Sequence, residues 1–89
     1  MKKVSIIIRT RNEENWIKAC LQAILNQNYL FFEIIIVDNG SKDRTIDVVK
    51  KFNIKKITTL KDFTPGAALQ KGINLAKGEI LVFLSAHCI

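Results

Sequence analysis

Four short apolar segments, rich in β-branched residues, recur along the chain between stretches of mixed polarity. They span residues 4–8, 34–37, 54–59 and 80–84. The second and the fourth are continuous apolar runs rather than alternating ones, which is typical of strands that are buried on both faces. The pattern therefore predicts four β-strands.

The stretches between these strands carry apolar residues at helical spacing. The first contains a stripe of apolar side chains, formed by Trp16, Ile17, Cys20, Leu21, Ile24 and Leu25. For this helix Asn12 is a suitable N-cap, and Glu13 and Glu14 would be favourable in the first turn. A second helix is expected over residues 44–52, with Ser41 or Asp43 near its start.

A third helix is expected over residues 65–77, with Pro65 in its first turn and Gly78 as its stop signal. The resulting order, β-α-β-α-β-α-β, predicts right-handed crossovers and a parallel sheet covered by helices. The predicted fold class is therefore α/β: a three-layer, Rossmann-like α/β/α domain over residues 1–89 with about four parallel strands.

Polar residues follow each predicted strand directly, at residues 9–13, 38–41, 61–62 and 85–87. Open α/β sheets bind ligands at the edge where the carboxyl ends of parallel strands meet. We therefore expect these side chains to form one binding site. The motif Asp-Asn-Gly-Ser at 38–41 also has a structural interpretation as a turn, in which Gly40 reverses the chain and Asp38 satisfies nearby amides.

Composition and charge narrow the class of protein. With 48% hydrophobic residues the chain can form a packed core, and its net charge of +6 favours anionic partners. Its longest apolar runs are far shorter than the roughly 20 residues of a membrane-spanning helix, so we expect a soluble, cytoplasmic protein. The first strand is followed by no GxGxxG motif and the sequence contains no GxxxxGK[ST] motif, which disfavours a dinucleotide-binding Rossmann site and excludes a P-loop.

Three segments together resemble the N-terminal half of the family 2 glycosyltransferases, which have the A-type glycosyltransferase fold and use nucleotide-sugar donors. The segments are VSIIIRTRNEENWIKACLQAILNQ, FEIIIVDNGSKDRT and PGAALQKGINLAKGEILVFLSAHC. Their order and spacing extend over nearly the whole chain. The resemblance implies that residues 1–89 form the truncated nucleotide-sugar-binding half of such an enzyme.

The resemblance also implies a set of nucleotide-binding residues. It places Asp38 at the nucleobase or its ribose, Thr10 and Arg11 in the loop near the base, and Glu13 near the ribose. The complete predicted nucleotide site consists of Thr10, Arg11, Asn12, Glu13, Asp38, Asn39 and Asp62. Arg11 stands where the family often has tyrosine, and a guanidinium can stack on a base or bind a diphosphate.

At the end of the fourth strand the family usually has Asp-x-Asp, whose last carboxylate holds Mg²⁺ or Mn²⁺ against the donor diphosphate. This chain has Ser85-Ala86-His87 instead. Imidazole suits Mn²⁺ better than Mg²⁺, so His87 is a tentative metal ligand, a partner for the diphosphate, or a polar strand terminus. Whether a divalent metal is required stays open.

The implied parent reaction is inverting transfer of a sugar from a nucleoside-diphosphate donor to a hydroxyl of a glycan or lipid-linked acceptor, as in polysaccharide biosynthesis. The family's catalytic base lies in the half that would follow residue 89, so no catalytic residue is assigned and the segment is expected to be inactive alone. Two alternatives stay open: a non-enzymatic nucleotide-binding module, and a basic nucleic-acid-binding domain, which the scarcity of aromatic residues disfavours. An exposed edge on the last strand is expected to allow pairing with a second copy.

Overall fold

The computed structural model describes residues 2–26, 31–52, 54, 56–60 and 65–85. The elements are β1 (Val4–Thr10), α1 (Ile17–Leu25), β2 (Phe32–Asp38), α2 (Thr45–Lys50), β3 (Lys56–Thr59), α3 (Pro65–Leu75) and β4 (Ile80–Ser85). This alternation of strands and helices confirms the predicted order.

The four strands form one parallel sheet in the order β3-β2-β1-β4. Thr10, the last residue of β1, is in register with Asp38, which is itself in register with Thr59 of β3. On the other side of β1, Arg9 pairs with Ser85. The carboxyl ends of all four strands therefore lie at one edge of the sheet, and the α/β fold class is confirmed.

Alternate residues of β1 and β2 face two separate hydrophobic cores, one on each side of the sheet. Ile8 and Ile36 pack with the buried residues of α1 and with Val49 of α2. Ile7, Ile35 and Val37 face the opposite side. There they pack with Ala68 of α3, which completes the three layers. Burying each such aliphatic side chain stabilises the fold by about 1.5–3 kcal/mol.

Two glycines allow the third crossover to lie close to the sheet. A Cβ atom at Gly72 would be only 2.5 Å from Cγ2 of Ile7, so α3 can approach β1 closely only without a side chain there. Gly78 lies beyond the end of α3, and its amide donates a 2.7 Å hydrogen bond to the Ser5 hydroxyl. Gly78 therefore fixes the entry into β4 rather than ending the helix directly.

The predicted start of α1 is wrong. The helix begins at Ile17, the side chain of the N-cap residue Trp16 makes no capping hydrogen bond, and the first turn contains no acidic residue. Asn12 instead adopts a left-handed conformation with φ of 52°. The amides of Trp16 and Ile17 both donate to the Glu13 carbonyl, which forms a turn between β1 and α1. Asn12 is therefore four residues too early to cap this helix.

The predicted burial of the continuous apolar strands is confirmed for β2 and wrong for β4. Residues 35–38 of β2 are buried, whereas Ile80 and Phe83 of β4 are 44% and 43% exposed. The reason is position, because β4 lies at the edge of the sheet and α3 packs on β1 and β2. Among the described residues, no helix has the length and apolarity required to span a membrane.

Candidate nucleotide site

The carboxylate of Asp38 occupies the centre of the site at the carboxyl edge of the sheet. Its Oδ1 accepts hydrogen bonds from the Thr10 hydroxyl at 2.6 Å and from the Ser41 hydroxyl at 2.5 Å. Its Oδ2 accepts one from the Ser41 amide at 2.8 Å. The residue is only 1% exposed, so the charged group lies behind the surface of the site. Gly40, with φ of 68°, makes the turn between Asp38 and Ser41, as predicted.

Backbone hydrogen bonds bring three of the strand ends together around this carboxylate. The Asn39 amide donates to the Thr10 carbonyl at 2.9 Å, and the Leu60 amide donates to the Asp38 carbonyl at 2.8 Å. The predicted convergence of the first three strand ends is therefore confirmed as far as Leu60. The predicted site residues Asp62 and His87 lie outside the described residues.

A first chain of hydrogen bonds joins the loop after β1 to the loop after β2. The Ser41 hydroxyl donates to Asp38 and accepts from the Asn12 amide at 2.9 Å. We call this carboxylate–hydroxyl–amide connection of Asp38, Ser41 and Asn12 the inner joint. Asn12 strengthens it, because its side-chain oxygen accepts from the Lys42 amide at 2.7 Å. Ser41 was expected to cap α2, but its hydroxyl accepts from the Asn12 amide in the loop after β1 instead.

A second chain with the same chemistry lies one residue further along the first loop. The Thr45 hydroxyl donates a short hydrogen bond to Oδ1 of Asp43 and accepts from the Glu13 amide at 2.7 Å. The Glu14 amide donates to Oδ2 of Asp43 at 3.2 Å. We call this connection of Asp43, Thr45 and Glu13 the outer joint.

Asp43 carries the charge of the outer joint. Burial works to raise the pKa of Asp43, but hydrogen bonds from the Thr45 hydroxyl and from the amides of Thr45 and Glu14 outweigh burial and lower the pKa. Asp43 therefore remains an acceptor at neutral pH. The expectation that Asp43 lies near the start of α2 is confirmed, since it also accepts from the Thr45 amide at 2.9 Å.

The two joints occupy backbone amides that an anion could otherwise bind. Many α/β proteins bind phosphate with free amides at the start of the helix after the first strand. Here α1 begins only at Ile17, and the consecutive amides of Asn12, Glu13 and Glu14 in the loop before it are all donated to side chains of residues 41–45. These three amides are therefore not available to a phosphate at this edge, whereas the side chain of Arg11 on the same loop is exposed.

The predicted site residues that the structure describes lie together, but they differ in accessibility. Thr10, Glu13 and Asp38 are buried. Arg11 and Asn12 are exposed, and Asn39 is partly exposed. The accessible surface of the site therefore comes from the exposed and partly exposed side chains, while the buried residues form its floor.

The sequence does not predict the hydrogen bonds of Ser41, Asp43 and Thr45. Ser41 was expected at the binding edge or as a helix cap, Asp43 only near the start of α2, and Thr45 had no predicted role. A hydroxyl two or three residues after a carboxylate was the available signal, since such pairs often hydrogen-bond locally. The local pattern does not predict the long-range partners of these hydroxyls, because the Asn12 and Glu13 amides are about 30 positions away from Ser41 and Thr45.

A cavity of about 390 Å³ adjoins this edge between α3 and the sheet. The described residues of its lining are largely apolar, with Gly66 and Leu69 from α3 and Phe83 from β4, and they include the cation Arg9. Over the described ranges of the chain there is no group of three His, Cys, Asp or Glu residues that could hold a metal ion.

Comparison with known proteins agrees with this architecture. The sequence model of Glycosyl transferase family 2 matches residues 5–89. A dolichyl N-acetyl-alpha-D-glucosaminyl phosphate 3-beta-D-2,3-diacetamido-2,3-dideoxy-beta-D-glucuronosyltransferase of Methanococcus voltae is 38% identical over 95 residues, covering 98% of this chain and 30% of that protein.

Two solved structures share the fold. Staphylococcus aureus TarS 1-349 in complex with UDP-GlcNAc matches with a TM-score of 0.85 and 29% identity, covering 94% of this chain and 26% of that chain. The mannosyltransferase PcManGT of Pyrobaculum calidifontis in complex with GDP-Man and Mn²⁺ matches with a TM-score of 0.87 and 26% identity, covering 96% of this chain and 27% of that chain. This chain thus spans less than a third of the length of these relatives. With a family match over nearly all of its residues, the chain belongs to Glycosyl transferase family 2.

Proposed function

We propose that the edge formed by residues 10–13 and 38–41 receives the nucleoside diphosphate of a nucleotide sugar. The observation that carries the proposal is the direct contact between Thr10 and Asp38, which places the two loops side by side. The complexes of TarS with UDP-GlcNAc and of PcManGT with GDP-Man support a ligand of this class. The net charge of +6 favours an anionic ligand.

Within this proposal the exposed side chains contact the ligand. The Arg11 guanidinium stacks on the base or pairs with the diphosphate. The Asn39 carboxamide supplies one donor and one acceptor for the base edge. Thr10, Asn12, Glu13 and Asp38 form the floor and sides of the pocket, and Asp62 is proposed as a further nucleotide-binding residue from the sequence alone.

The proposed reaction of the full-length enzyme is inverting transfer of the sugar to a hydroxyl of a glycan or lipid-linked acceptor, in cytoplasmic polysaccharide synthesis. This reaction requires a base for the acceptor proton and positive charge for the leaving diphosphate. The 89-residue segment supplies the nucleotide pocket, so we expect it to transfer no sugar alone. Measurable turnover by this segment with a nucleotide sugar would contradict that expectation.

A divalent metal is part of the proposal because PcManGT binds Mn²⁺ together with GDP-Man. His87 is the tentative ligand, and a bound Mn²⁺ or Mg²⁺ would supply positive charge to the diphosphate. Among the described residues no group of three His, Cys, Asp or Glu side chains completes such a site.

Amide chemical shifts measured during titration with UDP, GDP and TDP, with and without Mg²⁺, test the proposal. We expect shifts concentrated at residues 10–13 and 38–41, and weaker binding by Arg11→Ala. The matched control is Lys50→Ala, which removes an exposed cation from the last turn of α2 and should bind normally. Absence of shifts at this edge would refute the proposal, and salt-sensitive binding of single-stranded RNA without a response to UDP would favour a nucleic-acid-binding domain instead.

A further inference from the structure

We propose that Asp38 is a positioning residue, which organises the nucleotide site through Thr10 and Ser41 without contacting the nucleotide. This inference deepens the proposed function and rests on it. It departs from the role that the family resemblance implies for Asp38, which is contact with the nucleobase or ribose.

The carboxylate of Asp38 is almost inaccessible from the surface of the site. Asp38 is 1% exposed, and its two oxygens already accept three hydrogen bonds from Thr10 and Ser41. A carboxylate can accept about four such bonds, so most of its capacity is used within the protein. A base N–H group could reach the carboxylate only if the turn at residues 39–41 moved away.

Moving the turn at residues 39–41 would break hydrogen bonds that hold the site together. The Ser41 hydroxyl that covers Asp38 also holds the Asn12 amide, and the Asp38 carbonyl holds the Leu60 amide. Exposing Asp38 would therefore separate the loops after β1 and β2, which together form the site. A buried carboxylate with several hydrogen bonds is more strongly held than the exposed groups beside it.

The same arrangement of carboxylate, hydroxyl and amide occurs twice in this site. In the outer joint, Asp43 again accepts from a nearby hydroxyl, that of Thr45 at the start of α2, which accepts from an amide of the first loop, that of Glu13. Thr45 is completely buried. Thus a carboxylate–hydroxyl pair holds each of two successive amides of the first loop. At both positions the pair fixes that loop.

Ser41→Ala and Asp38→Asn separate positioning from direct contact. If Asp38 acts through the inner joint, both variants weaken the binding of UDP, GDP and TDP, each by roughly 5- to 30-fold and by a similar factor for every base. If Asp38 contacts the nucleotide, Ser41→Ala binds nearly normally while Asp38→Asn loses affinity for one base selectively. That second result would overturn the inference.

Ser5→Ala is the matched control, because the Ser5 hydroxyl donates to a carboxylate, that of Glu33, at the opposite end of the same two strands. We expect Ser5→Ala to bind nucleotides like the parent protein. If Ser5→Ala weakens binding as much as Ser41→Ala, the loss reflects general destabilisation and the inference is wrong.

A measurement without ligand distinguishes failure of this inference from failure of the proposed function. Ser41→Ala should accelerate hydrogen exchange at the Asn12 amide by about tenfold relative to the parent protein, and Ser5→Ala should not. If the parent protein binds no nucleotide, the proposed function fails, yet this exchange still decides whether the inner joint fixes the loop. Unchanged exchange at Asn12 in Ser41→Ala would refute the positioning role.

Discussion

Ser5 and Glu33 repeat, at the amino end of β1 and β2, the pairing that Thr10 and Asp38 make at the carboxyl end. The Ser5 hydroxyl donates to Oε2 of Glu33 at 2.5 Å, and the two residues are in register. Lys56 donates to Oε1 of Glu33 at 2.5 Å and also to the Leu75 carbonyl at 3.0 Å. The Glu33 network therefore joins β1, β2, β3 and the end of α3, far from the nucleotide site.

Glu33→Gln should destabilise the protein in a pH-dependent manner. Burial works to raise the pKa of Glu33, but hydrogen bonds from Lys56, Ser5 and the Lys77 amide outweigh it and lower the pKa from 4.5 to about 2. Because the folded-state pKa is the lower one, the stabilisation is complete above about pH 4.5 and is lost as the pH falls towards 2. We expect a loss of about 2 kcal/mol at pH 7.

Urea unfolding from pH 7 down to pH 2 measures this difference. The exposed Glu79 provides the control, since Glu79→Gln should leave the free energy of unfolding within about 0.5 kcal/mol of the parent value at pH 7. A stability difference between Glu33→Gln and the parent protein that stays constant with pH would show that the carboxylate charge is not involved.

Two glycines should respond to alanine with opposite signs. A Cβ atom at Gly78 would lie 2.7 Å from the Ser5 nitrogen and 2.8 Å from the Lys3 carbonyl oxygen, and backbone atoms cannot move aside cheaply. We expect Gly78→Ala to cost about 2 kcal/mol or more. Gly66 lies in α3 with no atom within 4 Å of such a Cβ, so Gly66→Ala should stabilise by about 0.5–1 kcal/mol.

Thermal or urea unfolding of both alanine variants decides this prediction. Equal effects at the two positions would mean that the entry into β4 is not as close to β1 as the Gly78 amide–Ser5 hydroxyl bond indicates.

Asn12 should tolerate glycine better than valine. At φ of 52° a β-branched side chain is strained, so Asn12→Val should cost about 1–3 kcal/mol. Asn12→Gly adopts this φ readily but loses the acceptor for the Lys42 amide, so its cost should be nearer 1 kcal/mol. Urea unfolding distinguishes the two variants, and a valine variant as stable as the glycine variant would contradict the assigned backbone conformation.

The order of elements could be predicted from the sequence because each strand is a compact β-branched block and each helix has its own apolar stripe. Ile17, Cys20, Leu21 and Ile24 of that stripe are indeed buried. Trp16 and Leu25, at its ends, are 48% and 45% exposed, because the stripe is longer than the part of it that packs in the core. The start of α1 was mispredicted for a different reason: a long-range contact recruited Asn12, the residue that local rules favour as a cap.

The convergence of the strand ends could also be predicted, because the carboxyl ends of parallel strands share an edge. The burial of Asp38 could not. An Asp-Asn-Gly-Ser turn is compatible with an exposed carboxylate, and only the Thr10 hydroxyl, 28 positions earlier, shows that the carboxylate points inward. The interpretation of the motif as a turn is therefore confirmed, and its part in a binding site stays a prediction.

Self-association is expected at the exposed edge of β4. Within the described sheet β4 has a neighbour on one side only, and Ile80, Leu81 and Phe83 are each about 40% exposed along it. An open strand edge with apolar side chains is a template for pairing with another chain. We expect the 89-residue chain to associate with increasing concentration through this edge, as measured by light scattering.

Phe83→Lys should shift that association towards monomer by at least about tenfold in concentration, because a charge on an edge strand opposes pairing. Leu25→Lys is the matched control, since Leu25 is a comparably exposed apolar residue on α1, away from β4. If Leu25→Lys has the same effect, association is driven by general surface hydrophobicity rather than by the strand edge. A chain that stays monomeric at millimolar concentration would refute pairing through β4. That result would mean that the twist of the strand or neighbouring side chains protect the open edge in solution.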